Sequence, residues 1–227
     1  MSASSSLSPA SPLRTLYFVR HGQSLANAGG VTMPNAEIPL TDLGQRHAQA
    51  LATLLPSSPA RVLCSHFVRA RHTAQPYCQR VNHAATVHPL LHEFETFDPD
   101  LIAGMVGEQR RPVVDAFWAE ADPHKRMGAK AETFAEFAQR VRRFMQEELS
   151  ALPDGTVLFG HGMWVGLLAW LLLGFGTDSS LEMRHFRRFQ VGLPMPNGAV
   201  YQLQELTPGQ WRLQADALAM HTLMAVQ

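Results

Sequence analysis

Cysteine is scarce in this chain: Cys64 and Cys78 are the only two in 227 residues. Two thiols are too few for a disulfide framework and fit a reducing compartment, so a cytoplasmic protein with both cysteines filling core space is expected. Charge of one sign is missing as well. Nineteen Lys and Arg offset nineteen Asp and Glu, which leaves no bulk field to hold nucleic acid or an anionic membrane. Any affinity for an anion has to be local, made by a few placed side chains. The first residues, rich in Ser, Ala and Pro, lack the basic start and apolar run of a signal peptide, and residues 1–13 are expected to form a disordered tail.

Long hydrophobic stretches are limited to one. Residues 157–176 run for 20 residues without a formal charge, long enough to nominate a membrane span. Gly160, His161 and Gly162 interrupt the run early, no aromatic and basic belt flanks both ends, and the rest of the chain has globular amphipathic patterning. No membrane is therefore expected. At 46% hydrophobic a chain of this length can bury one substantial core, and a single domain over residues 14–227 is the organisation expected.

What is present is arranged around strand exits. Residues 15–19 form an apolar, β-branched and aromatic run that stops at Arg20-His21-Gly22, as a buried strand entering a turn does. Residues 157–159 stop in the same way at Gly160-His161-Gly162. A third run, residues 61–64, leads through Ser65-His66-Phe67-Val68 to Arg69 at the start of a helix. Each exit carries a cation.

Helical patterns lie between. Thr41 and Asp42 suit an N-cap and first-turn acid for a helix through Leu55, with Leu43, Leu51, Leu54 and Leu55 inward and Pro56 as the stop. In residues 131–149, Phe134, Phe137, Ala138, Val141, Phe144, Met145 and Leu149 fall on one helical face at spacings of three and four. Residues 163–173 are apolar all round, which predicts a central buried helix. Near the end, residues 199–206 and 210–215 flank Thr207-Pro208-Gly209, a hairpin at a sheet edge with Pro and Gly placed for a type II turn. Strands alternating with helices predict a three-layer α/β/α sandwich with a mostly parallel central sheet, whose ligand site lies at the carboxyl ends of the strands. Residues 98–130 break the alternation and are expected to form a small inserted lobe over that site.

Three strand ends carrying His21, Arg69 and His161 suggest phosphate chemistry. A phosphate monoester is a dianion, and displacing its leaving group needs an in-line nucleophile with fixed positive donors around the equatorial oxygens. Arginine binds phosphate in a bidentate fork and is always charged, which suits Arg20 and Arg69. A neutral imidazole is a competent nucleophile once a hydrogen bond fixes its tautomer, and His21 beside a flexible Gly22 is placed for it. Against this stands the bland reading that most of eleven histidines are surface or satisfied core residues. Two of them at matching strand exits, with arginines nearby, outweigh it.

The segment Arg20-His21-Gly22-Gln23-Ser24-Leu25-Ala26-Asn27 resembles the signature of the histidine phosphatase superfamily, which contains phosphoglycerate mutases and acid phosphatases. The resemblance continues through Pro39-Leu40-Thr41-Asp42-Leu43-Gly44, the stretch from Cys64 to Ala74, and Gly160-His161-Gly162, and covers residues 15–215. It implies a phosphohydrolase acting on a small phosphorylated substrate through a phosphohistidine on His21, with Arg20, Arg69 and His161 around it, no cofactor and no metal. Asn27 adds a phosphate contact. In Arg69-Ala70-Arg71 the pattern selects Arg69 and leaves Arg71 as a solvated helix residue. Leu91-His92-Glu93-Phe94 resembles the segment that supplies the family's proton donor, pointing to Glu93, with Glu95 and Asp98 as competitors. The Ser-Tyr-Asp-x-Pro-Pro-Pro segment of cofactor-dependent phosphoglycerate mutases has no counterpart in residues 98–130, which favours hydrolase over mutase.

Two rivals are kept open. His83, His88, His92 and Glu93 offer imidazoles and a carboxylate for a metallohydrolase, though without a familiar zinc spacing. A non-catalytic phosphate-binding module of the same fold is the other, disfavoured by the intact set of charged and nucleophilic side chains. Phe94, Phe97, Trp118, Arg110 and Arg111 are candidates to line the substrate pocket.

Overall fold

The computed structural model describes residues 13–193 and 195–226; the expected tail, apart from Leu13, lies outside them. The apolar run before the first His-Gly is strand β1 (Arg14–Arg20). Its side chains alternate between two clusters, Leu16 and Phe18 in one and Tyr17 and Val19 at the other, so both faces need cover. Thr41 starts α1 (Asp42–Leu54) by accepting the Gly44 N–H on its hydroxyl at 3.1 Å. Then come β2 (Val62–Cys64), α2 (Val68–Val81) and β3 (Thr86–Val87). They are followed by α3 (Gly107–Glu120), α4 (Phe134–Arg143), β4 (Val157–Gly160), α5 (Gly162–Leu172) and α6 (Ser180–Gly192). Strands β5 (Val200–Thr207) and β6 (Gln210–Ala215) and helix α7 (Ala217–Met224) complete the described chain.

The strands make one sheet in the order β3-β2-β4-β1-β5-β6. The first four are mutually parallel and the last two antiparallel. One face packs against Trp118, Phe137, Trp164 and Phe186 of α3 to α6, the other against Leu51, Tyr77 and Leu223 of α1, α2 and α7. This is the three-layer α/β/α sandwich that the alternation predicts. The hairpin turns as expected, with Gly209 at φ 78°, and β6 is an edge strand.

Two local differences have physical causes. The helix expected from residue 131 starts at Phe134, because Thr133 and Glu136 cap each other's backbone reciprocally and stop it there. Past Arg143 its turn widens, so that the Leu149 N–H reaches the Phe144 carbonyl five residues back and both side chains stay buried. The uncharged run at 157–176 divides into β4, a turn and α5. Among the described residues no helix is long and apolar enough to cross a membrane.

Residues 98–130 contribute a short 3-10 turn (Pro99–Ile102), α3, and a return strand bridge between Met127 and Phe97. Phe117 and Trp118 of α3 pack with Phe94, Phe134 and Phe186 in the larger cluster. Trp118 is therefore a core residue and does not line a substrate pocket, and Arg111 lies exposed on α3.

Candidate active site

Register decides what the strand exits can do together. Arg20 pairs with Gly160 across β1 and β4, and Cys64 pairs with Phe159 across β2 and β4. The next residues of the three strands, His21, His161 and Ser65, therefore emerge side by side. The His21 and His161 rings stand edge to face with centroids 5.2 Å apart, and the His21 N–H is anchored on the Gly160 carbonyl at 3.0 Å.

His21 has a defined tautomer. Its Nδ1 lies 2.7 Å from the Gly22 carbonyl, and since a carbonyl only accepts, the ring proton is assigned to Nδ1. Nε2 is left with its lone pair, which accepts the Arg69 Nε–H at 3.1 Å. Burial, then the charges of Arg69 and Arg20, hold the His21 pKa well below the ordinary 6.5, so the ring is neutral near physiological pH.

Gly22 serves by size. A Cβ there would stand 2.4 Å from the Gly44 carbonyl oxygen, and one on Gly44 would stand 2.0 Å from the Gln23 carbonyl oxygen. Two backbones meet here, at the start of α1, and only glycine on both sides permits it. The expectation of flexibility at Gly22 gives way to close packing.

Arg69 lies in the first turn of α2 and is buried. Its Nη1 donates to the Asn35 carbonyl at 2.6 Å. The Thr73 hydroxyl donates to the Arg69 carbonyl at 2.7 Å and accepts the Gly22 N–H at 3.0 Å, tying α2 to the nucleophile loop. Burial lowers Arg69 to about 10, so the guanidinium remains charged. Arg20 donates through Nη1 to the Met195 carbonyl, and its buried Nε has no partner among the described residues.

His161 corrects the expectation of a cation at each exit. Burial first, then Arg69 and His21, push its pKa well below 6.5, so it is a neutral imidazole between two arginines. Its Nε2 lies 2.8 Å from the Ser65 hydroxyl, and its buried Nδ1 has no partner among the described residues. With the proton on Nδ1, the ring accepts from Ser65 and offers an N–H donor.

Glu93 sits at the N-terminus of α5. Its Oε1 accepts the N–H groups of Phe94 at 3.0 Å and Trp164 at 3.1 Å, and its Oε2 accepts that of Met163 at 3.0 Å. Burial raises its pKa; the amide donors, Arg69 and Arg20 oppose this, and the balance stays above the ordinary carboxyl value. It shares a cavity of about 330 Å³ with Arg20, Gly162 and Met195. Among the competitors, Asp98 is committed to the N–H groups of Asp100 and Lys130 as a cap of the 3-10 turn. Glu95 is half-buried and feels Arg69, with its pKa raised by burial and by Glu132.

Asn27 is oriented by three donors on Oδ1: the Ser24 N–H and hydroxyl at 3.2 and 2.9 Å, and the Asn197 Nδ2 at 2.8 Å. Its own Nδ2 is thereby the end that can meet an anion. Asn197 also reaches the carbonyls of His21 and Gly22 at 3.4 and 3.5 Å. Sequence reasoning missed Ser65, Thr73 and Asn197; the one signal for Asn197 is the Pro- and Gly-rich turn that precedes β5. The grouping of His83, His88, His92 and Glu93 is not brought together. His83 turns to the Ala84 carbonyl, His88 lies 3.7 Å from Glu148, and His92 bonds the Pro89 carbonyl. Among the described residues no three His, Cys, Asp or Glu side chains converge as a metal site.

The sequence profile of the histidine phosphatase superfamily, branch 1, matches residues 16–216. The chain belongs to that superfamily. This histidine phosphatase is 31% identical over 175 residues to an adenosylcobalamin/alpha-ribazole phosphatase of Salmonella typhimurium, covering 76% of this chain and 84% of that one. It is 28% identical over 177 residues to a probable phosphoglycerate mutase of Photorhabdus laumondii, covering 74% and 79%. The crystal structure of the alpha-ribazole phosphatase from Shigella flexneri superposes with a TM-score of 0.67 at 25% identity, over 88% of this chain and 95% of the other. Family and relatives agree with the expectation of an enzyme that hydrolyses phosphate esters.

Proposed function

We propose that this enzyme cleaves small phosphomonoesters in two displacements, with His21 as the nucleophile, Glu93 as the proton carrier and no metal ion. The observation that carries the reading is the Nδ1 contact of His21 with the Gly22 carbonyl at 2.7 Å, which leaves Nε2 as the lone-pair nitrogen beside Arg69. In the first step Nε2 attacks phosphorus, the bond from phosphorus to the ester oxygen breaks, and the carboxyl of Glu93 gives its proton to that oxygen. In the second, the Glu93 carboxylate takes a proton from water, the hydroxide attacks phosphorus, and the P–N bond breaks to release inorganic phosphate.

The Arg69 hydrogen bond to Nε2 has to yield as the phosphoryl group arrives, which turns Arg69 from the nucleophile to an equatorial oxygen. Arg20, the neutral His161 through Nδ1–H, and the Nδ2 of Asn27 supply the remaining donors in a desolvated pocket. The raised pKa of Glu93 suits an acid that must hold its proton near working pH. Residues 14–227 act as one unit in this reading, with Pro99, Ile102 and Arg110 of the inserted segment forming a wall beside the site. The thiols of Cys64 and Cys78 favour a reducing cytoplasm.

Rapid quench with labelled substrate should trap a phosphate that is labile in acid and stable in base, absent in His21→Ala, and formed at the same rate in EDTA. Label on another residue, or a requirement for a divalent cation, would sink the proposal. A mutase reading draws on the Photorhabdus relative; interconversion of 2- and 3-phosphoglycerate faster than phosphate release would favour it.

A further inference from the structure

Beside the phosphoryl pocket lies a second cavity of about 180 Å³ with a different character. Its apolar walls are Val31, Met33, Ile38, Phe94, Phe97 and Ile102. It adjoins the reaction centre at two points. Asn35, whose carbonyl holds Arg69, lines it, and Phe94 directly follows Glu93. A group attached to the ester oxygen that Glu93 protonates therefore has this cavity as a place to go.

The lining of the cavity is mainly apolar and carries little formal charge. Among the described residues no Asp, Glu or Lys lines it. Arg110, the one charged residue in the wall, spends its Nη1 on the carbonyls of Gly30 and Met105 and the hydroxyl of Thr32, at 2.9, 2.7 and 3.0 Å. That contact ties α3 to the loop after the nucleophile, so Arg110 acts as a strap. An ionised leaving group would lose its hydration against six apolar side chains. The volume lies below the roughly 300–1,000 Å³ typical of pockets for drug-sized ligands, so the group is small.

We propose that the alcohol released by this enzyme is uncharged and apolar, of the size of a single ring, and that this cavity selects it. The inference rests on the phosphatase reading above and names the substrate class of the same site. Phosphoesters whose alcohol carries an amine or an acid, and so needs a countercharge at this position, are disfavoured substrates.

The test uses the full chain and three esters of primary alcohols, so that intrinsic leaving ability is comparable: benzyl phosphate, glycerol 3-phosphate and 3-phosphoglycerate. Benzyl phosphate should exceed both others in kcat/KM by on the order of tenfold or more, the discrimination an apolar pocket typically gives. Val31 is 56% exposed at the rim, so Val31→Asp is compatible with folding. It should reduce the ratio of kcat/KM for benzyl phosphate to that for glycerol 3-phosphate by on the order of tenfold, through KM. General damage to the fold would lower both and leave the ratio where it was. Preference for 3-phosphoglycerate, with label still trapped on His21, would overturn the substrate class alone and make Arg110 a carboxylate receptor. An unmoved ratio in Val31→Asp would overturn it too. Absence of turnover with all three and of label on His21 would overturn the phosphatase reading as well.

Discussion

Replacing Glu93 by Gln removes the transferable proton and almost preserves the shape of the side chain. The amide oxygen, placed as Oε1, still accepts the N–H groups of Phe94 and Trp164, but the amide nitrogen then faces the Met163 N–H, donor against donor. An unsatisfied buried donor costs about 1–3 kcal/mol. Folding stability should therefore fall by roughly 1–3 kcal/mol, or several degrees in Tm for a chain of this size. Chemistry should fall further. Loss of general-acid catalysis typically removes 10²–10⁴ in rate, roughly, where the leaving oxygen needs a proton. Pre-steady-state measurements on benzyl phosphate and p-nitrophenyl phosphate separate these effects. With benzyl phosphate, phosphorylation of His21 should collapse. With p-nitrophenyl phosphate, whose phenolate leaves unaided, the burst should persist within a few-fold while turnover slows, because the second step has lost its base. Phosphoenzyme then accumulates. Equal loss of the burst for both esters would refute Glu93 as the acid and move the role to Glu95.

Arg69→Ala should depress kcat by on the order of 10²–10³, the usual cost of one fixed donor to a transition-state anion. Arg69 is also the leading charge that lowers the His21 pKa, so the acid limb of kcat/KM should move up toward 6.5, and Arg69→Lys should restore the limb better than the rate. Activity within tenfold of wild type, or an unmoved limb, contradicts the assignment. Stability should fall in mild acid. His21 and His161 have folded pKa values well below 6.5 and His92 is lowered to about 4, so below 6.5 the unfolded chain binds protons that the fold refuses. Their contribution is present above 6.5 and lost as pH falls from there toward 4, at about 1.4 kcal/mol for each pH step of one and each fully buried ring. Glu93 and Glu95, with raised pKa values, work in the opposite sense, while His47, His66 and His88, also lowered, add to the loss. Urea midpoints measured from about pH 7.5 down to about pH 5 should decline; a flat profile means the imidazoles are not buried neutral.

Much of the site was legible because its parts lie at strand exits. A β-branched run ending in His-Gly announces both a buried strand and a turn, and it does so at Gly22 and Gly162 alike. Element boundaries slipped where local chemistry outweighed periodicity, as at Thr133, whose capping box ends the approach to α4 three residues past the expected start. The contact between Arg69 and His21 was not legible from spacing, since it depends on β2 and β1 flanking β4 in register. The resemblance to a family nominated both residues; sheet order explains why they meet.

Protonation was the part least accessible to sequence. Residue type made His161 a candidate cation, yet charge on an imidazole is settled by what surrounds it, and here burial and two arginines exclude a proton. Glu93 is the mirror case. No neighbour in sequence signals that its carboxyl will meet the amides of Met163 and Trp164, 70 and 71 positions away, because that cradle exists only when β4 delivers the start of α5 to it. The same environment that neutralises His21 and His161 shifts Glu93 toward its protonated form: burial disfavours charge on all three, while the arginines, charged near neutral pH, keep the pocket positive. In the proposed mechanism the nucleophile with a free lone pair, the neutral donor and the acid with a raised pKa thus trace to one physical condition, exclusion of water around two cations.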